Sequence, residues 1–266
     1  MSSLKTRLRD ALPGQLQVPA RYWYDRALGR LEPEMRLLPL LVKQRDRVID
    51  VGGNRGVYTY HLCRLGAAVE VFEPNENCQS VLSSWAAHNS GVTLHPVALS
   101  SQPGSACLHI PVDDAGVEHD SSASLDGARG GRARDQAVLL RTLDSYGFNQ
   151  VSLIKIDVEG HESSVIAGAG ATLAASRPAL LVEIERRHIA KPVQAVFEQI
   201  RQLDYHGFFL CNHRLTTLDD FDESRHQHPS HFATPGTVYI NNFLFLHRDR
   251  LAGGEYQGLF RDGVPG

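Results

Sequence analysis

Arg47-Val48-Ile49-Asp50-Val51 is a largely apolar, strand-forming run that breaks into a glycine turn, Gly52-Gly53-Asn54-Arg55-Gly56. Residues 57–65 follow at once with helical character. Strand, glycine turn and helix in immediate succession make the first unit of an open α/β sheet, one that offers the carboxyl edge of its strands to a nucleotide-like ligand. The carboxylate of Asp50, just ahead of the turn, decides which ligand of that kind the edge suits.

The dinucleotide fingerprint Gly-x-Gly-x-x-Gly, counted from Gly52, calls for glycine where this chain has Asn54 and Val57. Those glycines let the backbone approach a pyrophosphate and let the helix pack closely on its strand. Asp50 would also repel a doubly charged pyrophosphate. The same carboxylate attracts a ligand with cationic groups in a partly dry cleft, and S-adenosylmethionine carries both an ammonium and a sulfonium. A second acid supports a nucleoside. Residues 69–73 read as the next strand, and Glu73 stands 21 residues after Gly52. The acid that takes the ribose hydroxyls is expected at a spacing of about 20 residues, and a carboxylate can accept both O–H groups. Asp50, Gly52, Gly53, Asn54, Gly56 and Glu73 are the candidate cofactor residues. The bland alternative has Asp50 capping the turn and Glu73 ending a solvated strand.

Strands and helices alternate through the rest of the chain. Strands are expected at 47–51, 68–73, 92–99, 153–157, 179–185, 208–211 and 237–246, and helices at 57–65, 76–88 and 193–203. The runs at 153–157 and 179–185 are largely apolar and end in acids, as in central parallel strands covered on both faces. This alternation predicts a doubly wound α/β sheet. Residues 1–44 read as an N-terminal helical extension, with Leu4, Leu8 and Leu12 at amphipathic spacing and Tyr22, Trp23 and Tyr24 packing or lining a cleft mouth. Residues 45–250 read as the main domain and 251–266 as a C-terminal tail. Two polar loops interrupt the domain. The first, 113–135, is locally basic at Arg129, Arg132 and Arg134, and the second, 212–235, brings His226, His228 and His231 together. An exposed loop suits these histidines better than a metal site, since no second ligand cluster stands beside them.

At 266 residues the chain fits one decorated α/β domain. Its 27 Lys and Arg against 30 Asp and Glu leave no basic surplus for nucleic acid as the main partner. The longest apolar runs are strand-sized, so no transmembrane helix is expected, and the first residues lack the apolar core of a secretory signal. Cys63, Cys78, Cys107 and Cys211 are scattered without a Cys-x-x-Cys pair. That fits a reducing cytoplasm better than a disulfide framework or zinc site.

A second constellation lies at Lys155-Ile156-Asp157-Val158-Glu159-Gly160-His161-Glu162. Alternation places Lys155 and Asp157 on one face of their strand, and Gly160 lets the chain turn into a helix near Glu162. A solvated strand end with acids favoured by the helix dipole would look similar, and Glu162 fits that description. Lys155, Asp157, Glu159 and His161 form the candidate catalytic set.

With both stretches in hand, the chain resembles the FkbM family of S-adenosylmethionine-dependent methyltransferases. The resemblance rests on VIDVGGNRGVYT (48–59), VFEPNE (71–76), RTLDSYG (141–147), LIKIDVEGHESSVIAGA (153–169) and RPALLVEIE (177–185), in one order across residues 45–190. It implies a Rossmann-like sheet of the class I methyltransferase type, mostly parallel with a last strand antiparallel to its neighbours. By motif position it carries cofactor roles to Asp50, Gly52, Asn54 and Glu73. Substrate selection would then fall to 1–44, 113–135 and 212–266.

Methyl transfer to a hydroxyl of a sugar, glycan or secondary metabolite needs the acceptor held in line and its proton removed. Candidate bases are His161, Asp157, Glu159 and His188. Asp157 and Glu183 end strands expected to be neighbours, and together they could instead hold Mg²⁺ or Mn²⁺ or orient the substrate. N-methylation, a nicotinamide-dependent oxidoreductase and a non-catalytic cofactor-binding protein remain as alternatives.

Overall fold

The computed structural model describes residues 12–125, 131–189, 192–232, 234 and 237–260. Leu4, Leu8, Arg129 and residues 261–266 of the expected tail lie outside them. The described residues open with helix α1 (Gly14–Ala27) and the single turn α2 (Leu38–Leu41). Strand β1 (Arg47–Val51), α3 (Val57–Arg64), β2 (Ala68–Phe72), α4 (Glu76–Ala86) and β3 (Val92–His95) follow. Next come β4 (Ala98–Leu99), β5 (Gly104–Val112), β6 (Arg132–Arg141) and β7 (Val151–Ile156). Two helices, α5 (Glu162–Ala167) and α6 (Gly170–Ser176), lead to β8 (Ala179–Glu183), α7 (Val193–Arg201), β9 (Tyr205–Cys211) and β10 (Arg214–Thr217). The short helices α8 (Glu223–His226) and α9 (Arg248–Ala252) flank β11 (Asn242–His247).

The main sheet has the order β10-β9-β11-β8-β7-β1-β2-β3. Strands β3, β2, β1, β7 and β8 are parallel, and β11 runs antiparallel to both β8 and β9. This is the mostly parallel doubly wound sheet with an antiparallel late strand that the sequence implied. From β1 the chain winds outward to β2 and β3, then returns to β7 on the other side of β1. Strand order therefore reverses between β1 and β7, and the carboxyl edge at such a reversal is where open α/β sheets bind ligands. The fold places the Gly52 turn and Asp157 at that point.

Period-two alternation divides the sheet's side chains between two cores. Ile49, Ile154, Leu180 and Phe243 face α5, α6 and α7, while Val48, Leu153, Leu181 and Leu244 face α1, α3 and α4. Helix α1 covers the second face through Val18 and Tyr22, both fully buried. The Tyr22 ring meets Tyr60 at 5.0 Å, and its hydroxyl lies 2.7 Å from His61 Nδ1. Residues 251–260 of the expected tail are packed as well, with Tyr256 and Leu259 buried.

Several expected elements need correction. The strand expected at 92–99 is two strands in two sheets, because Pro96 has no N–H for a ladder and the chain leaves the main sheet there. The expected loop 113–135 ends inside β6, which pairs antiparallel with β5 and parallel with β4 in a second, three-stranded sheet. Neither long strand was read from the sequence, although Leu108 and Ile110 alternate inward and share a small core with Ala98 and Val138. The expected loop 212–235 contains β10 and α8, whose N-terminus Asp222 caps from its side chain. His226 is buried there against Phe209 and Phe221 rather than exposed. The strand expected at 237–246 begins only at Asn242.

Phe243 is fully buried, with Phe197 at 4.7 Å and Phe221 at 5.1 Å between ring centroids. Phe243→Ala is expected to cost about 3–5 kcal/mol through lost burial and a residual cavity. Urea unfolding checks this as a lower midpoint at unchanged slope.

Candidate active site

The turn after β1 works because Gly52 has no side chain. Its φ is +79°, and a Cβ there would fall 1.8 Å from the backbone carbonyl oxygen of Asp157. Gly53 is similarly tight, since a Cβ would come 2.2 Å from Val71 Cγ2. With those groups absent, the Gly52 N–H donates to Phe72 O at 2.9 Å and the Asp157 N–H to Val51 O at 3.0 Å. The carboxyl ends of β1, β2 and β7 are thereby drawn together.

Asp50 is buried behind the turn, where the Thr59 hydroxyl donates to its Oδ2 at 2.6 Å. Burial pushes its carboxyl up to about 6, against the pull of Thr59 and of the Lys155 charge. Glu73, also buried, accepts the Asn54 N–H on Oε2 and the Asn75 N–H on Oε1, each at 2.7 Å. Burial outweighs both bonds and raises it to about 7. Each Glu73 oxygen keeps a free lone pair. Asn54 adopts φ +47° to bring its N–H to Glu73, and Gly56 begins α3 at φ +80°.

Two adjoining cavities open at this edge. The first is lined by Phe72, Glu73, Val97, Leu99, Leu108 and His161, among others. It is narrow, about 60 Å³, with Asp120, Ser121, Ala123 and Leu125 in its wall. Asp120 is held there by Arg55 Nη2 at 2.5 Å and by the Asn75 and Asn77 amides at 3.0 Å. The second cavity, about 390 Å³, is lined by Asp50, Lys155, Glu32, Tyr58, Arg30 and others. Gly52, Asn54, Asp120, Ser121 and Asp157 line both. Asp157 is the carboxylate at the junction that lies beside a buried ammonium.

That ammonium is Lys155 Nζ, 3.4 Å from Asp157 Oδ2 and 4.9 Å from the Tyr58 ring centre. The side chain is 1% exposed, and Nζ has no hydrogen-bond partner among the described residues. Burial works against its charge, but Asp157, Glu32, Glu183 and Asp50 together hold it well above the usual lysine value. The acids are less satisfied. Burial, reinforced by Asp157, pushes Glu183 well above the usual carboxylate range, and burial raises Glu34 to about 7. Glu32 accepts the Tyr58 hydroxyl at 2.6 Å and the Asn242 amide at 3.1 Å. Nothing in the sequence marked Glu32 or Tyr58, because contact between the N-terminal extension and α3 brings them to the cleft. Asp120 was hidden in a stretch read only as a loop.

The other sequence-named residues separate. His161 lies on the wall of the first cavity only, with Nε2 2.9 Å from Ser100 Oγ. Glu159 lines the same cavity and pairs with His188 Nδ1 at 2.7 Å, while His188 Nε2 lies 3.1 Å from Glu185. Burial disfavours the charged imidazole, yet the two carboxylates raise His188 to about 9. Glu162 is buried, accepts the Gly160 N–H at 2.8 Å and is raised by burial to about 7. A divalent metal on Asp157 and Glu183 fits poorly, since the Lys155 ammonium already sits against Asp157 and would repel it. Among the described residues the three-ligand group close enough for a metal is Cys107, His109 and Asp135, away from both cavities. None of the four cysteines forms a disulfide, and no helix of the described residues is long and apolar enough to cross a membrane.

A mostly parallel doubly wound sheet with an antiparallel late strand, its order reversing beside a glycine turn and a row of buried acids, has the class I methyltransferase architecture. The family model described as the methyltransferase FkbM domain matches residues 50–210, and the chain belongs to that family. Among solved structures, the methyltransferase FkbM from Methylobacillus flagellatus is 15% identical with a TM-score of 0.52, covering 90% of this chain and 57% of that one. The chain thus spans little more than half of that relative's length. A TehB-like SAM-dependent methyltransferase from Corynebacterium glutamicum is 11% identical with a TM-score of 0.42, covering 88% and 98% of the two chains. Precorrin-6y C5,15-methyltransferase from Geobacter metallireducens is 8% identical with a TM-score of 0.43, covering 79% and 86%. These likenesses are of fold. Comparison with curated proteins by sequence gives no match.

The raised value of Glu73 has a consequence for stability. Between about 4.5 and 7 the folded chain keeps a proton that the unfolded chain has lost. This contribution to stability is full below 4.5 and lost as the pH rises through 7. Relative to the natural chain, Glu73→Gln is expected to gain stability over that window and to hold a constant offset below it. Urea midpoints at stepped pH measure the difference, and an offset constant throughout would contradict the assignment.

Proposed function

We propose that the chain transfers a methyl group from S-adenosylmethionine to a hydroxyl of a small molecule or glycan. The carrying observation is the Asp157 carboxylate at the junction of the two cavities, beside the buried ammonium of Lys155. The residues present fit this cofactor. Glu73 has a lone pair free on each oxygen for the ribose, and the apolar side chains of Phe72, Val97, Leu99 and Leu108 suit an adenine. Burial raises Asp50 and Glu183, and Lys155 offsets it only in part, so a ligand bearing positive charge relieves the site. A nucleoside enters the narrow cavity only if the segment carrying Asp120 moves outward. When bound, S-adenosylmethionine supplies an electrophilic methyl carbon on a cationic sulfur.

The chain's own residues supply the rest. The second cavity lies within the size range of small-molecule sites, and it orients the acceptor between Glu32, Tyr58 and Arg30. Asp157 accepts the acceptor's hydroxyl proton. Lys155 stays charged beside Asp157 and donates to the acceptor oxygen through Nζ, which has no hydrogen-bond partner among the described residues. His161 borders the adenine side, and Glu159 pairs with His188, so neither is assigned the proton. With its four cysteines forming no disulfide, a reducing cytoplasm suits the protein.

Two measurements test this. By isothermal titration, S-adenosylmethionine affinity should rise from pH 5 to pH 7, because a cation favours the ionised forms of Asp50, about 6, and ribose hydroxyls favour ionised Glu73, about 7. Glu73→Gln should weaken binding roughly 10- to 150-fold, the range for hydrogen bonds to a charged group. Absence of binding at any pH would remove the reading. With labelled cofactor and an acceptor found by screening hydroxylated compounds, Asp157→Asn should lower turnover about 10²–10⁴-fold with cofactor affinity little changed. Full turnover in that variant would strip Asp157 of its role, and product methylated at nitrogen would replace the hydroxyl acceptor.

A further inference from the structure

Helix α1 buries one face through Val18, Tyr22 and Asp25. The opposite face should be polar in a helix that only covers a core. Instead it carries Leu16, Ala20, Trp23 and Ala27, at helical spacings of four, three and four. Leu16 and Trp23 are each 47% exposed, and beside them Tyr24 is 45% and Leu28 49% exposed. This second apolar stripe is bordered by cations. The Arg64 and Arg26 guanidiniums lie 4.7 and 5.6 Å from the Trp23 ring centre, and Arg30 lies 5.9 Å from that of Tyr24. None of these three arginines forms an ion pair among the described residues, whereas Arg21 pairs with Asp25 on the buried side.

The charge of the chain is divided in the same sense. Its first 30 residues hold six Lys and Arg (Lys5, Arg7, Arg9, Arg21, Arg26 and Arg30) against Asp10 and Asp25, while the whole chain is net −3. Exposed leucines with a tryptophan flanked by unpaired arginines combine apolar insertion with attraction to negative headgroups, the two contributions that hold a helix in the plane of a bilayer surface. A second copy of the chain would set these arginines against their own kind, so charge complementarity favours an anionic surface over self-association. Arg21, Asp25 and Arg30 also line the second cavity, so a surface bound along α1 would lie beside its mouth.

We propose that the exposed face of α1 docks on anionic lipid bilayers, with Leu16 and Trp23 entering the interface and Arg26 and Arg64 meeting the headgroups. The docking stands apart from the methyltransferase reading and requires no turnover. The full chain is sedimented with vesicles of phosphatidylcholine alone and with vesicles containing phosphatidylglycerol, at low and high salt. Binding to the anionic vesicles, weakened by salt, is expected. The double variant Arg26→Gln/Arg64→Gln should lower partition about 30-fold, at roughly 1 kcal/mol per cation. In the natural chain Trp23 fluorescence should shift to the blue on binding, with buried Trp85 as the internal reference, and Leu16→Ser/Trp23→Ser should abolish sedimentation with the anionic vesicles. These positions are exposed and outside both cavities, and an unchanged melting temperature confirms folding. No vesicle binding, equal binding to neutral and anionic vesicles, or unaltered binding by both variants would overturn the proposal. So would a dimer by sedimentation velocity that Leu16→Ser/Trp23→Ser dissociates, since a second copy would then cover the face.

Discussion

The structure depends on a backbone contact too close for any side chain. Gly52 passes so near the carbonyl of Asp157 that a methyl group would overlap it. Because it has none, the turn after β1 and the end of β7 abut at the reversal of strand order, and Phe72 at the end of β2 receives the Gly52 N–H. Asp50, Glu73, Asp157 and Lys155 come from three strands and reach one cleft through that contact. Widening it would separate the two cavities' shared wall and leave each acid in its own surroundings.

What gathers at the cleft is an excess of buried negative charge over positive. Transfer of carboxylates from water costs several kcal/mol each unless partners compensate, and here compensation is partial. Lys155 answers four acids at once, while Asp50, Glu183, Glu34 and Glu73 retain protons above their usual range. A stable fold with no ligand to bind gains nothing from such an arrangement. A site that receives a cationic nucleoside gains twice, because the ligand supplies the missing charge and the acids supply its orientation. The narrowness of the first cavity belongs to the same picture, since Asp120 adds one more carboxylate, neutralised in the free protein by Arg55.

The main sheet was legible because its strands are buried on both faces and their apolar runs stand out against the helices between them. Glycine turn, acid spacing and the Lys155–Glu162 run all lay at strand ends, where sequence position translates directly into place. The second sheet was not legible. β5 contains Pro111 and β6 opens Arg-Ala-Arg-Asp-Gln, so composition suggested a loop, and only the Leu108–Ile110 and Val138–Leu140 alternation hinted at strands. His226 misled for a similar reason, since a polar residue in a polar stretch reads as exposed until Phe209 and Phe221 are seen to enclose it.

By itself the sequence determined the alternation of strands and helices, the glycine turn and the acids at its strand ends, because each follows from local periodicity and from short spacings along single strands. The partners of that edge were decided only in three dimensions. Glu32 and Tyr58 arrive from the N-terminal segment and α3, which pack on the same face of the sheet, Asp120 from a segment folded back over the turn, and His188 from a bend that draws it to Glu159. Such pairings depend on where helices pack and loops return, and neighbouring residues along the chain do not encode that. The exposed stripe on α1 has the same origin: the spacing of its apolar residues is written in the chain, but which face the core would take was settled by packing.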